Sequence, residues 1–252
     1  MRLLHQQILQ VIVLLSFALS VVCQADNGRT HSVTLAVEDS WPPFADSNGQ
    51  GISTSILEQA FSSVGITLIV KTFPYARVLS EIEKGTLVGG YNVTRQASTE
   101  QQFLFGTQAL LKAPASFYFP AGHLQAQAYK SIADIPDGST IGLIINYEYG
   151  NTFEEHNHRF KTVRVSTQEQ IINMLRVGRL DSAILFDAVA SHTLKSMQLE
   201  PSSILKGPIN HTSDIYVAFS HIHKDAQFFA DKLDKGLELI KANGQYESLL
   251  QP

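Results

Sequence analysis

The chain has 252 residues, 44% of them hydrophobic and 17% charged, with a formal net charge of −4. That composition suits one or two globular domains and carries no signature of disorder. The mildly acidic balance offers no electrostatic footprint for nucleic acid or anionic lipid, so neither is expected as a partner.

The first 25 residues differ from the rest. Arg2 is their only charged side chain, a largely apolar run spans Ile8 to Val22, and Cys23-Gln24-Ala25 precedes Asp26. This reads as a secretory signal peptide cleaved after Ala25. The run is short for a membrane-spanning helix, which needs about 20 apolar residues. Cys23 opens the alternative of a lipid anchor, for which Val21 and Val22 are poor preceding residues. Cleavage removes Arg2 and takes the net charge to −5. It also removes the only cysteine, which excludes disulfides, thiolate catalysis and cysteine-based metal sites from the exported chain.

An alternating strand from Ser32 to Val37 ends at Glu38 and runs into EDSWPPF. Two prolines there remove donors and fix φ, so the stretch neither continues a strand nor begins a helix. It presents aromatic faces beyond the strand end and reads as one wall of a ligand cleft. Ser53 or Thr54 can cap a helix burying Ile56, Leu57, Ala60, Phe61 and Val64, closed by Gly65. A strand over Ile66–Val70 follows, then a helix from Tyr75 to Lys84 and a strand from Leu87 to Val93. Strand, helix, strand, helix, strand is an α/β unit with a parallel sheet, whose ligands bind at the carboxyl ends of the strands. EDSWPPF, Asn92 and Thr94 fall on that edge, and Tyr75 and Arg77 at the helix start can reach it.

The apolar extended stretch around Ser116–Gly122 reads as a crossing into a second lobe. A turn at Ile132–Ile135 comes next, then a strand Thr140–Ile145 and a polar aromatic turn Asn146-Tyr147-Glu148-Tyr149. A strand Thr162–Val165, a helix Thr167–Val177 and a strand Asp181–Phe186 follow, and Asp187 can cap the next helix. EIEKGTLVGGYNVT and NMLRVGRLDSAILFD share one layout, with Gly85 matching Gly178 and Thr94 matching Asp187. Two such lobes facing each other make a cleft. The strand Asp214–Ser220 should return to the first lobe ahead of a helix Asp225–Ala242. Two crossings would permit hinge closure. His156 and His158, like His221 and His223, form H-x-H pairs. A zinc site needs three or four convergent ligands, so these histidines read as surface residues, with no metal or other cofactor expected.

Taken in order, WPPF, PYARVLSEIEKG, YNVTR, FLFG, IGLIINYEYG, VGRLDSAILFD, DIYVAFS and KANGQYESLL resemble the bacterial extracellular solute-binding proteins of family 3. These are the polar amino-acid receptors of ABC importers. The resemblance covers about Val33 to Leu250. It implies a two-lobed, type II periplasmic-binding-protein fold, each lobe a mostly parallel sheet flanked by helices, with a cleft at the hinge. Lobe 1 would comprise residues 26–118 and 214–252, and lobe 2 residues 119–213.

By the same resemblance, Trp41, with Glu38 and Phe44 beside it, packs on the ligand. Asn92 and Thr94 match the positions that bind a ligand carboxylate, Asn146 and Tyr147 the facing loop, on whose turn Tyr149 is a further candidate, and Asp187 the acid that pairs with an ammonium. The family's carboxylate-binding Arg corresponds to Thr99 here, which leaves Arg95 or Arg77 to supply that charge. The implied function is capture of an amino acid or related zwitterion in the periplasm by a monomer that serves a membrane permease. Two alternatives stay open. One is a cyclohexadienyl-dehydratase-like enzyme with Glu38 or Glu148 as general acid. The other is a solute sensor that reports to a separate membrane protein.

Overall fold

A computed structural model describes residues 31–250; the predicted leader and its cleavage after Ala25 lie outside the described residues. The strands are β1 (His31–Glu38), β2 (Ile66–Phe73), β3 (Gly89–Thr94), β4 (Phe103–Phe105), β5 (Leu111–Pro120), β6 (Thr140–Ile144), β7 (Lys161–Val165), β8 (Ser182–Phe186) and β9 (Ile204–Ser220). The helices are α1 (Ile52–Ser62), α2 (Tyr75–Glu83), α3 (Ala97–Glu100), α4 (Gly150–His156), α5 (Gln168–Arg176), α6 (Asp187–Ser196), α7 (Ala226–Ala242) and α8 (Gln245–Leu249).

All nine strands join one sheet in the order β2-β1-β3-β9-β5-β8-β6-β7, with β4 also on β9. Strands β1 and β3 are parallel, as are β6 with β7 and β6 with β8. Between these two parallel groups run β5 and β9, which pair antiparallel from Leu111↔Ile215 to Pro120↔Ile204. The expected strand Asp214–Ser220 is therefore only the end of a 17-residue strand. Its upper half pairs with β3 and its lower half with β5.

The core lies on both faces of this sheet. On one side α1 and α7 bury Ile56, Leu57, Phe61, Leu233, Leu237 and Ile240 against Leu35, Val37 and Phe219. On the other, Val78 and Ile82 of α2 join a cluster that continues through Phe117, Ile141, Leu143, Ile171 and Ile184. Helix α1 starts at Ile52 behind Gly51, not under a Ser53 or Thr54 cap. The Thr54 hydroxyl instead donates to the Gly49 carbonyl at 2.6 Å and meets the Tyr91 hydroxyl at 2.7 Å, both buried. The cap expected from sequence has become a pin between helix and sheet. The matched pair Gly85 and Gly178 both have φ near +68 (68 and 67), so each helix closes on a left-handed residue, as that echo implied.

Helices α1 and α7 touch at Gly236, where a Cβ would stand 2.2 Å from the Ala60 carbonyl oxygen. Gly236→Ala should destabilise the protein by about 1–3 kcal/mol as the helices are forced apart. This should hold even though alanine gains about 1 kcal/mol of helix propensity. Urea denaturation reads the sign directly. A stabilised variant would mean that the helices separate freely.

Candidate functional site

The strand ends converge on one point. Strand β1 delivers Glu38, after which the chain turns so that the Trp41 and Ala45 backbones bond to each other. Trp41 is 2% exposed. Its ring lies 4.5 Å from Phe44 and meets Phe186, the last residue of β8, edge-on at 5.2 Å. Helix α2 contributes Tyr75 at its first position, because Pro74 fixes the preceding backbone in extended form. From β6 the loop carries Tyr147 and Glu148. Together Glu38, Trp41, Tyr75, Asn92, Thr94, Tyr147, Glu148, Phe186 and Ile215 line a cavity of about 10 Å³, room for about one water molecule.

Two hydrogen bonds cross this cavity in opposite senses. The Tyr147 hydroxyl donates to Glu38 Oε1, and the Tyr75 hydroxyl donates to Glu148 Oε2 at 2.9 Å. The two tyrosine rings meet edge-to-face at 5.1 Å. Each wall thus offers one acid and one phenol to the other. Burial pushes the Glu38 carboxyl up to about 8, with Asp39 and Glu148 adding repulsion against the Tyr147 hydrogen bond. Burial likewise raises Glu148 to about 7, opposed by the bond from Tyr75. Both phenols are pushed above their ordinary range, mainly by burial, so they remain donors at neutral pH.

Asn92 lines the same cavity and lacks hydrogen-bond partners within the protein. The β3–β9 register shifts between Tyr91 and Val93, which makes Asn92 a bulge with φ 67. A bulge turns its side chain out of the regular pleat, and asparagine tolerates the left-handed region better than most residues. Asn92 is only 5% exposed, yet neither its amide nitrogen nor its amide oxygen has a partner, and the Trp41 indole N–H is likewise unpaired. A buried unpaired polar group costs about 1–3 kcal/mol. Among the residues that line the cavity, Asn92 and Trp41 are the two with buried polar atoms left unpaired within the protein.

The other residues expected at the site lie outside the cavity lining. Phe44 backs Trp41 from behind. Arg77 is exposed, pairs with Glu81 at 3.4 Å and covers the Phe73 ring. Arg95 bonds Glu100 at 2.6 Å and the Gly106 carbonyl at 3.1 Å, over the rings of Phe105 and Tyr216. Thr99 caps α3 and donates to the Thr94 carbonyl at 2.8 Å. Asn146 is exposed, with φ 62. Tyr149 is buried behind the loop, where its hydroxyl accepts from the Ile144 N–H. Asp187 is the first residue of α6 instead of its cap, and accepts from Tyr118 at 3.0 Å and Lys206 at 2.8 Å. Sequence reasoning left Glu148, Phe186 and Ile215 out of the binding set. Glu148 entered the sequence reading only as a general acid of the enzymatic alternative, and Phe186 and Ile215 only as strand residues.

No family model and no curated protein matches the sequence. The structure does match solved ones. An ancestral arginine-binding protein bound to glutamine superposes with a TM-score of 0.71 at 18% identity, covering 86% of this chain and 95% of that one. A histidine kinase sensor domain with similarity to periplasmic binding proteins gives 0.73 at 14%, covering 87% and 95%. An ancestral amino-acid-binding protein described as a precursor of cyclohexadienyl dehydratase gives 0.70 at 14%, covering 86% and 93%. The fold is that of the periplasmic binding proteins.

Proposed function

We propose that this chain is an exported solute-binding protein that captures a small, ammonium-bearing solute of amino-acid-like size between two lobes. It would deliver that solute to the permease of an ABC importer. The observation that carries the reading is the closed cavity at the strand ends, with acids and aromatics from both walls and a buried amide left unpaired. On this reading β5 and β9 are the hinge, with the lobes divided near 118/119 and 213/214. The solute replaces the two tyrosine–glutamate bonds as the bridge and favours closure only as far as it binds the closed form better. The matched structures include proteins described as binding arginine, glutamine and glutamate, and a putative cystine transporter. That company supports the class of solute. A periplasmic location and a monomeric state belong to the same proposal.

Asn92→Gly separates a binding role from a structural one. Glycine suits φ 67 and removes two unpaired buried atoms. The variant should therefore keep or gain about 1 kcal/mol of stability while losing the thermal shift that a bound solute gives the wild type. A variant that melts earlier but binds normally would show that Asn92 serves the fold alone.

One observation favours a second reading. Glu38 and Glu148 titrate at about 8 and about 7, so both can hold a proton at neutral pH and act as general acids. Turnover of a prephenate-like substrate by the wild type, absent in Glu148→Gln, would establish the enzyme.

A further inference from the structure

The charge balance inside the cavity narrows the solute. Its lining holds two carboxyl groups, Glu38 and Glu148, and no Lys, Arg or His. Cations that could enter are held elsewhere: Arg77 by Glu81 and Phe73, Arg95 by Glu100 and Gly106, Lys206 by Asp187. Around the two acids stand the rings of Trp41, Tyr75, Tyr147 and Phe186, whose faces favour an organic cation. A zwitterion would bring a third carboxylate among two others with no guanidinium to meet it. In the same lining, the unpaired Asn92 amide and Trp41 N–H supply neutral donors and one neutral acceptor. These suit a hydroxyl or carbonyl oxygen, with the Thr94 hydroxyl beside them.

We infer that the solute is a small organic cation, an amine carrying a neutral hydrogen-bonding end and no carboxylate. The cavity as it stands has room for about one water, so the cleft opens to admit the solute, whose ammonium sits between Glu38 and Glu148 among the aromatic rings and whose neutral end sits on Asn92 and Trp41. The inference rests on the solute-binding reading and refines it. On entry the ammonium takes the place of the Tyr147 and Tyr75 hydroxyls as partner to the two carboxylates, which bind it as the charged forms. Asp39 and Glu148 both oppose charge on Glu38, and a cation beside it offsets them.

Calorimetric titration at neutral pH with ethanolamine, choline and putrescine, against L-serine, L-alanine and L-glutamate, tests it. Ethanolamine differs from L-serine only by the carboxylate. The expected result is binding of ethanolamine or choline at least about tenfold tighter than either zwitterion, with glutamate silent. Glu148→Gln keeps an acceptor for Tyr75. It should weaken amine binding by more than about tenfold without lowering the melting temperature of the ligand-free protein.

Binding of L-serine or L-alanine as tight as the amines would overturn the cation assignment and leave the solute-binding reading standing. Silence from all six would also overturn it, with the broader reading then decided by a wider solute screen on wild type and Asn92→Gly. A Glu148→Gln variant that melts earlier yet binds amines normally would reduce Glu148 to a structural role.

Discussion

Raising the pH from about 6.5 to about 8 should destabilise the ligand-free protein, and Glu38→Gln should remove most of that slope. In the folded protein the Glu38 carboxyl titrates at about 8, against an ordinary value of 4.5. Between those values the folded state holds a proton that the unfolded chain has lost. Stability is thus greatest below the unfolded value and falls as pH climbs through the folded one. Over the stated window the loss is about 2 kcal/mol from Glu38. Glu148, at about 7, adds to its lower part.

His211 adds no slope within this window. Burial lowers that imidazole from 6.5 to about 4, so its contribution is complete above 6.5 and is lost only as pH falls toward 4. The two signs are opposite, and below 6.5 they would cancel. Every group facing Glu38 bears on the result: Tyr147 and Ser40 hold the charged form, while Asp39 and Glu148 oppose it. Thermal melts of wild type, Glu38→Gln and Glu148→Gln at several pH values check it. A wild-type curve flat across the window would mean that the cleft opens and hydrates both acids.

Trp41→Ala should cost about 3–5 kcal/mol, the range for removing a buried large aromatic. The ring is wedged between Phe44 on its own loop and Phe186 at the end of β8. Its loss therefore opens a void where the two walls meet, not merely within one of them. Against a typical total of 5–15 kcal/mol, that is a large share. Trp41→Phe should cost less, because an aromatic face remains for Phe186. Circular dichroism during denaturation measures both, since the alanine variant has no tryptophan left to report. An alanine variant as stable as wild type would place Trp41 outside the core that joins the walls.

Much of the fold was legible because its elements obey simple periods. The stripe Ile56, Leu57, Ala60, Phe61 marked α1, and the strands β1, β3 and β8 each end at a polar or aromatic residue on one edge, while β6 runs into the polar aromatic turn. What was not legible depended on distant partners. The expected strand begins only at Asp214, yet β5 recruits Ile204–Thr212, with Gly207 and Pro208, into the sheet. Helix α4 is short and polar outside Phe153, which anchors it, so no apolar stripe announces it.

The site divided in the same way. Of the residues expected at the site, Glu38, Trp41, Tyr75, Asn92, Thr94 and Tyr147 line the cavity, because strand ends and a Pro-fixed turn place them together. Arg77 and Arg95 were expected there on chemical grounds. Each has an acid close in sequence, Glu81 or Glu100, that holds it on the surface. The unpaired state of Asn92 follows from a bulge that only pairing with β9 creates.

The most direct test of the cavity as a ligand site is the emission of Trp41, the only tryptophan in the chain, during titration with small ammonium-bearing solutes. A saturable change in wild type that disappears in Asn92→Gly is the predicted result. Emission that stays flat through the whole set, or that changes identically in Asn92→Gly, would contradict it.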